Sequence, residues 1–279
     1  MDNQGGYKLM RMSRRMGLLG GGGLPPIGTA LNDMSWKDIR MISDAGLASK
    51  YFAVGDRKAV ALSGIAGSLD LNDTYYCYII GIDHNSDIEG TKRIHFQFGN
   101  TALSDGVQIA FVDSHYDKNQ YSGSSFNMNN ANNNKGGWEG SRMRNTIIPT
   151  FKACLPSDLQ AVLKTVTKYS DNTGTSSDTA SYVTATTDDI FLLAEWEVFG
   201  ARSSANSAEQ NYQVQYAYYS VGNSKKKYKH KQTNISANWW LRSVAKSSSN
   251  SSFCSVFSSE EIKTITGVKS LGFAPAFCV

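Results

Sequence analysis

Apolar residues in this chain fall into short runs between long polar stretches, and the runs switch between a helical and a strand-like period. Ser35 with Asp38 three residues on resembles a capping box, and Trp36, Ile39 and Ile42 share one helical face, so a helix is predicted there, ended by Gly46. Residues 58–62 (K-A-V-A-L), 75–82 (Y-Y-C-Y-I-I-G-I), 92–98 (K-R-I-H-F-Q-F) and 107–112 (V-Q-I-A-F-V) read as strands, the second apolar enough to be central. Leu159, Val162, Leu163 and Val166 make an i, i+3, i+4, i+7 stripe behind Pro156, which predicts the best helix of the chain. Tyr212, Tyr216 and Tyr219 predict another within 207–219. From Trp239 onward, W-W-L-R-S, F-C-S-V-F, E-I-K-T-I and F-A-P-A-F are four short strands. Strands and helices do not alternate regularly, so the reading is α+β, with mixed, largely antiparallel short strands and two or three helices.

The ends and the middle set the domain plan. M-R-M-S-R-R-M-G-L-L is basic and Met-rich, and Gly20 to Gly23 and Pro25-Pro26 follow; residues 1–34 are expected to be a flexible arm. The apolar part of that arm is too short for a secretory signal. Residues 35–49 form a helical lead-in, and 50–279 the main domain. Asp113 to Gly137 is Asn-rich and aperiodic, and is expected to fold over the surface or to carry a role. No apolar run is long enough to span a membrane.

Composition narrows the classes. With 41% hydrophobic residues the chain can build a core, and a net charge of +4 is too small to argue for a nucleic-acid partner. Fourteen Tyr and five Trp among Ser, Asn and Gly are the mixture that binding loops use. Cys77, Cys154, Cys254 and Cys278 form no C-x-x-C pair and read as small buried hydrophobes; a Cys254–Cys278 disulfide stays open.

The search for chemistry is mostly negative. No phosphate-binding glycine loop, nucleophile elbow or H-E-x-x-H is present. His95 reads as a partly exposed structural histidine. Asp83, His84, Asn85, Asp87 and Glu89 read as a polar turn, with calcium as the alternative. Glu195 and Glu197 would share a face if they lay on a strand. They are then either a glycosidase-type acid and base or carboxylates that accept backbone N–H groups or an arginine such as Arg202. K-K-K-Y-K-H-K at 225–231 reads as a solvated loop. No catalytic residue, cofactor or metal is expected, and the protein is read as not an enzyme.

W-W-L-R-S at Trp239 to Ser243, F-C-S-V, and the closing G-F-A-P-A-F-C-V resemble an uncharacterised domain family of gut bacteria and their phages. G-G-W-E-G-S-R-M-R at 136–144, L-P-S-D-L at 155–159 and L-L-A-E-W-E-V-F-G at 192–200 extend the resemblance over about residues 50–279. Ala274 stands where that family usually has Arg. The family in turn resembles the C-type lectin-like fold, which includes formylglycine-generating enzymes and the variable receptor-binding proteins of diversity-generating retroelements. The cysteines here lack the enzyme branch's motif. The resemblance therefore implies a receptor-binding or adhesin-like protein of a phage or prophage, on a virion or bacterial cell surface, that contacts a bacterial surface protein or glycan. It places the candidate variable region at 237–271. The implied ligand-facing positions are Ser247, Ser249, Asn250, Ser252, Ser255, Phe257, Ser259, Glu261, Thr264, Thr266, Lys269 and Leu271, with Phe257 and Leu271 as exposed apolar anchors. A homotrimer and contacts of the arm with other virion proteins stay open, as do a structural virion component and a glycan hydrolase using Glu195 and Glu197.

Overall fold

The computed structural model describes residues 23–121, 123–246 and 250–279. Its helices are α1 (Trp36–Asp44), α2 (Ala48–Tyr51), α3 (Ser86–Glu89), α4 (Ile148–Ala153), α5 (Ser157–Gln160), α6 (Glu195–Phe199) and α7 (Ala217–Ser220). The principal sheet joins β1 (Arg57–Leu62), β4 (Asp73–Ile82), β5 (Ile94–Asn100), β15 (Ala276–Cys278) and β9 (Ile190–Phe191), in that order and antiparallel throughout. A second sheet joins β11 (Gln232–Ala237), β10 (Lys227–Lys229) and β6 (Ile109–Ala110), the last pair parallel. A third, β12 (Trp239–Val244), β13 (Ser252–Val256) and β14 (Ile262–Thr266), is an antiparallel meander. Two hairpins complete the set, β2 (Ile65–Ala66) with β3 (Leu69–Asp70), and β7 (Val166–Asp171) with β8 (Val183–Asp188).

The expected α+β class with largely antiparallel short strands holds. The expected two or three helices do not: the described residues carry seven α-helices, five of them of four or five residues. The long helix predicted from Leu159 to Val166 is α5 alone; the chain then turns, and Val166 opens β7. Two forces outweigh the helical stripe. Thr165, Val166 and Thr167 are β-branched, and the Lys164 N–H is taken by the Cys278 carbonyl at 2.8 Å, across the fold rather than along a helix. The predicted 207–219 helix is a 3₁₀ turn (Ser207–Asn211) followed by α7.

Other predicted features stand. Ser35 and Asp38 make the reciprocal capping box, and Trp36, Ile39 and Ile42 are buried. All four strands after Trp239 form. The four cysteines are buried and free, so Cys254 and Cys278 are not bonded. Packing starts at Leu31, inside the predicted arm: Leu31 and Met34 are buried, and Asn32 accepts from the Ala59 N–H. Residues 1–22 of that arm lie outside the described residues.

One core unites the sheets. β15 lies between β5 and β9, and Phe277 stacks on Phe96 at 5.1 Å, with Trp36 edge-on to both. Phe111 and Phe273 exchange backbone hydrogen bonds, tying the second sheet to the chain's last segment. The Asn-rich stretch folds onto this body: Phe126 and Met128 are buried, and Asn134 packs against Gly174. Gly174 has φ +68, and a Cβ there would stand 1.7 Å from the Asn134 carbonyl oxygen, so only glycine fits.

Candidate functional site

Two regions bring functional side chains together: a buried ionic lattice, and the rim of the third sheet. The lattice draws on α3, β7, α6, β12 and Tyr216, the residue that caps α7. Lys168 on β7 donates from Nζ to Glu89 Oε1 at 2.7 Å, Glu197 Oε1 at 3.1 Å and the Tyr216 hydroxyl at 2.9 Å. Arg242 on β12 holds Glu197 with two prongs and also donates to Ser170 Oγ and the Leu192 carbonyl. None of Lys168, Glu89, Glu197 or Arg242 is more than 1% exposed at its side chain. Burial pushes the Glu197 carboxyl up, but Arg242 and Lys168 outweigh it and hold it below the usual range. Glu89, bonded to Lys168 but not to Arg242, is raised by burial and by the neighbouring Glu197 charge. Burial also keeps His84 (lowered to about 3) and His95 neutral, reinforced by the Lys168 charge.

The lattice corrects several expectations. His95 is wholly buried, not partly exposed, with Nδ1 3.1 Å from the Tyr216 hydroxyl. Glu195 and Glu197 lie on α6, not a strand, and both are buried. Glu195 accepts from Ser203, Ser204 and Ala205 backbone N–H groups, which fixes the following turn. Neither carboxyl faces solvent: Glu195 is held by the backbone of the turn that follows α6, and Glu197 by Arg242 and Lys168. The arginine on Glu197 is Arg242; Arg202 instead faces Asp178 at 3.6 Å. The basic run is not a solvated loop either. Lys227 is buried, bonded to the Tyr78 hydroxyl and Gln108, and burial lowers its amine to about 7.

Among the described residues, His84, Glu89 and Glu197 are the group whose ligand atoms lie within 4.8 Å of one another. The cation between the two carboxylates is the Lys168 ammonium, which a divalent ion would have to displace. The stretch read as a polar turn, with calcium as the alternative, sends its side chains to separate partners: Asp83 accepts the Arg93 N–H, Asn85 donates to the Tyr212 carbonyl, and Glu89 points into the lattice. Sequence reasoning missed Lys168, Tyr216 and Arg242 as partners. The one signal was a charged residue inside each of the runs T-V-T-K-Y-S and W-W-L-R-S.

The rim divides the residues expected to face a ligand. Ser247 and Ser249 lie outside the described residues. Ser252 and Ser255 are buried, because all of β13 is covered on both faces, and Ser255 donates to the Lys263 carbonyl. Leu271 is wholly buried in the core and is no exposed anchor. Asn250 is exposed, but its side chain accepts from Ser176 N–H at 2.8 Å. Ser259, Glu261, Thr264 and Lys269 are exposed, Thr266 is half-buried, and Phe257 is half-buried beside Tyr121 at 6.2 Å between ring centroids. Beside them a groove of about 700 Å³ is lined by Asn119, Gln120, Tyr121, Gly123, Val268 and Lys269. Tyr121 takes φ 55, a left-handed conformation uncommon for an aromatic residue.

Sheet pairing and burial thus define a mixed α+β domain with short antiparallel strands and scattered helices. Residues 109–279, more than half of the chain, match the family model described as "Domain of unknown function (DUF6273)", and the chain belongs to that family. Neither the curated proteins nor the solved structures include a match. The matched segment does not close its own principal sheet: β1, β4 and β5 come from residues before it, and β15 pairs with β5.

Proposed function

We propose that this is a non-enzymatic ligand-binding protein of the receptor-binding or adhesin type, a lectin-like scaffold that displays its C-terminal rim to a bacterial surface protein or glycan. The observation that carries the reading is the contrast between β13 and β14. β13 is buried throughout, while Lys263 and Thr264 of β14 are exposed, as are Ser259, Glu261 and Lys269 beside it. A rim on a closed core can change its side chains without disturbing the fold. The groove beside it adds an aromatic wall, Tyr121, and a partly covered anchor, Phe257. The lattice under this sheet fixes β12 to α6 and β7 through Arg242, which makes the platform rigid.

The test is a binding screen of the whole protein against intact gut bacteria and their surface extracts. It compares the natural chain with Phe257→Ser and Thr264→Ala/Lys269→Ala variants of matched melting temperature. Loss of a true anchor costs about 2 kcal/mol or more of binding. Equal binding by all three removes the rim from the reading, and no binding across a broad panel favours a structural virion component.

A further inference from the structure

A second cavity, of about 460 Å³, lies between α1, the turn that joins α3 to β5, and the turn that joins α5 to β7. Four cationic side chains line it, Arg40, Lys92, Arg93 and Lys164, against a single carboxylate, Asp44. For a chain whose formal charge is only +4, that is a strong local concentration of one sign. Asp44 is already held by Arg40 Nε at 2.8 Å and Lys164 Nζ at 2.7 Å. Lys164 is 9% exposed at its side chain and also donates to Ser43 Oγ at 2.9 Å, so its charge is fixed in the cavity wall.

Lys92 and Arg93 make no ion pair among the described residues. Both are nevertheless held in place. Lys92 takes φ 62, a left-handed conformation, and its stem passes near Gly46 at the end of α1. Arg93 spends its backbone N–H on Asp83 and its Nε on the Glu89 carbonyl, leaving the terminal guanidinium nitrogens for another acceptor. The hydroxyl-bearing Thr91 and Thr165 complete the polar wall.

We propose that this groove binds a tetrahedral oxyanion, a phosphate or sulfate group, free or carried as a monoester on a small ligand. Lys92 and the Arg93 fork meet the oxyanion, while Arg40 and Lys164 supply a second pair of positive charges from behind Asp44. The site belongs to different elements from the C-terminal rim, so either can fail without the other.

Calorimetric titration of the full chain with inorganic phosphate, inorganic sulfate, glucose 6-phosphate and acetate tests it. Saturable binding of the tetrahedral probes but not of acetate is expected, weakening as salt is raised because the groove is open. Lys92→Gln should weaken binding about tenfold, and Lys92→Gln/Arg93→Gln further. Asp44→Asn should strengthen it, since it removes the internal competitor; a merely structural Asp44 would not give a gain. Tighter binding of glucose 6-phosphate than of inorganic phosphate assigns the site to an ester, and equal binding to the free ion. Absence of saturation with every tetrahedral probe, or unchanged affinity in the folded Lys92→Gln protein, overturns the proposal.

Discussion

Arg242 and Glu197 meet in a two-pronged ion pair, Nη1 to Oε2 at 2.5 Å and Nη2 to Oε1 at 2.9 Å, with both side chains sealed from solvent. A pair this deep is costly to desolvate, and it persists because every remaining donor of Arg242 is also used, on Ser170, Leu192 and Tyr169. Arg242→Met should therefore destabilise the fold by about 3–5 kcal/mol, since it leaves the Glu197 charge buried with Lys168 alone. Urea denaturation checks this, and a variant within 1 kcal/mol of the natural chain would show that the pair is dispensable.

Glu209 should leave a mark on stability between pH 4.5 and about 7. Burial raises its carboxyl to about 7 from the ordinary 4.5, despite hydrogen bonds from Ser243, Asp171 and Gln213. The folded value lies above the unfolded one, so the stability it contributes is complete below 4.5 and is lost as pH rises through about 7. The buried histidines act in the opposite sense below pH 6.5, because their folded values are depressed. The measurement is thus the difference between the natural chain and Glu209→Gln. The natural chain should lose up to about 3 kcal/mol relative to the variant across that window, at about 1.4 kcal/mol per unit. A flat difference curve would count against the buried acid.

Leu271 and Thr264 should separate stability from recognition. Leu271 is wholly buried, so Leu271→Ala is expected to cost about 2–5 kcal/mol of stability. Thr264 is exposed on β14, and Thr264→Ala should change stability by less than about 0.5 kcal/mol. Thermal melts of the two variants decide it; a stable Leu271→Ala protein would contradict its place in the core.

Removal of the last seven residues should abolish cooperative folding. It deletes β15 from between β5 and β9, and with it the buried Phe273 and Phe277, at about 3–5 kcal/mol each. Circular dichroism would show loss of the melting transition. An unchanged transition would mean that the sheet closes without β15.

Local pattern determined much of this protein. The capping box of Ser35 and Asp38, the interior strand around Tyr78 (second in its sheet, beside the central β5) and the four strands after Trp239 were legible because each rests on contacts within a few residues or on a run of one hydropathy. The burial of the cysteines followed from their apolar surroundings in the same way. Tertiary structure decided the rest. The stripe at Leu159 to Val166 is a valid helical signal, but the Lys164 N–H finds the Cys278 carbonyl, a partner more than a hundred residues away. Periodicity also cannot say which side of a strand another sheet will cover, so Ser255 and Leu271 looked exposed and Lys227 looked solvated. Least legible was the lattice, where Glu89, Lys168, Glu197, Tyr216 and Arg242 converge from distant positions. Buried charges are stable only when partnered, and that partnership exists only after the chain has folded.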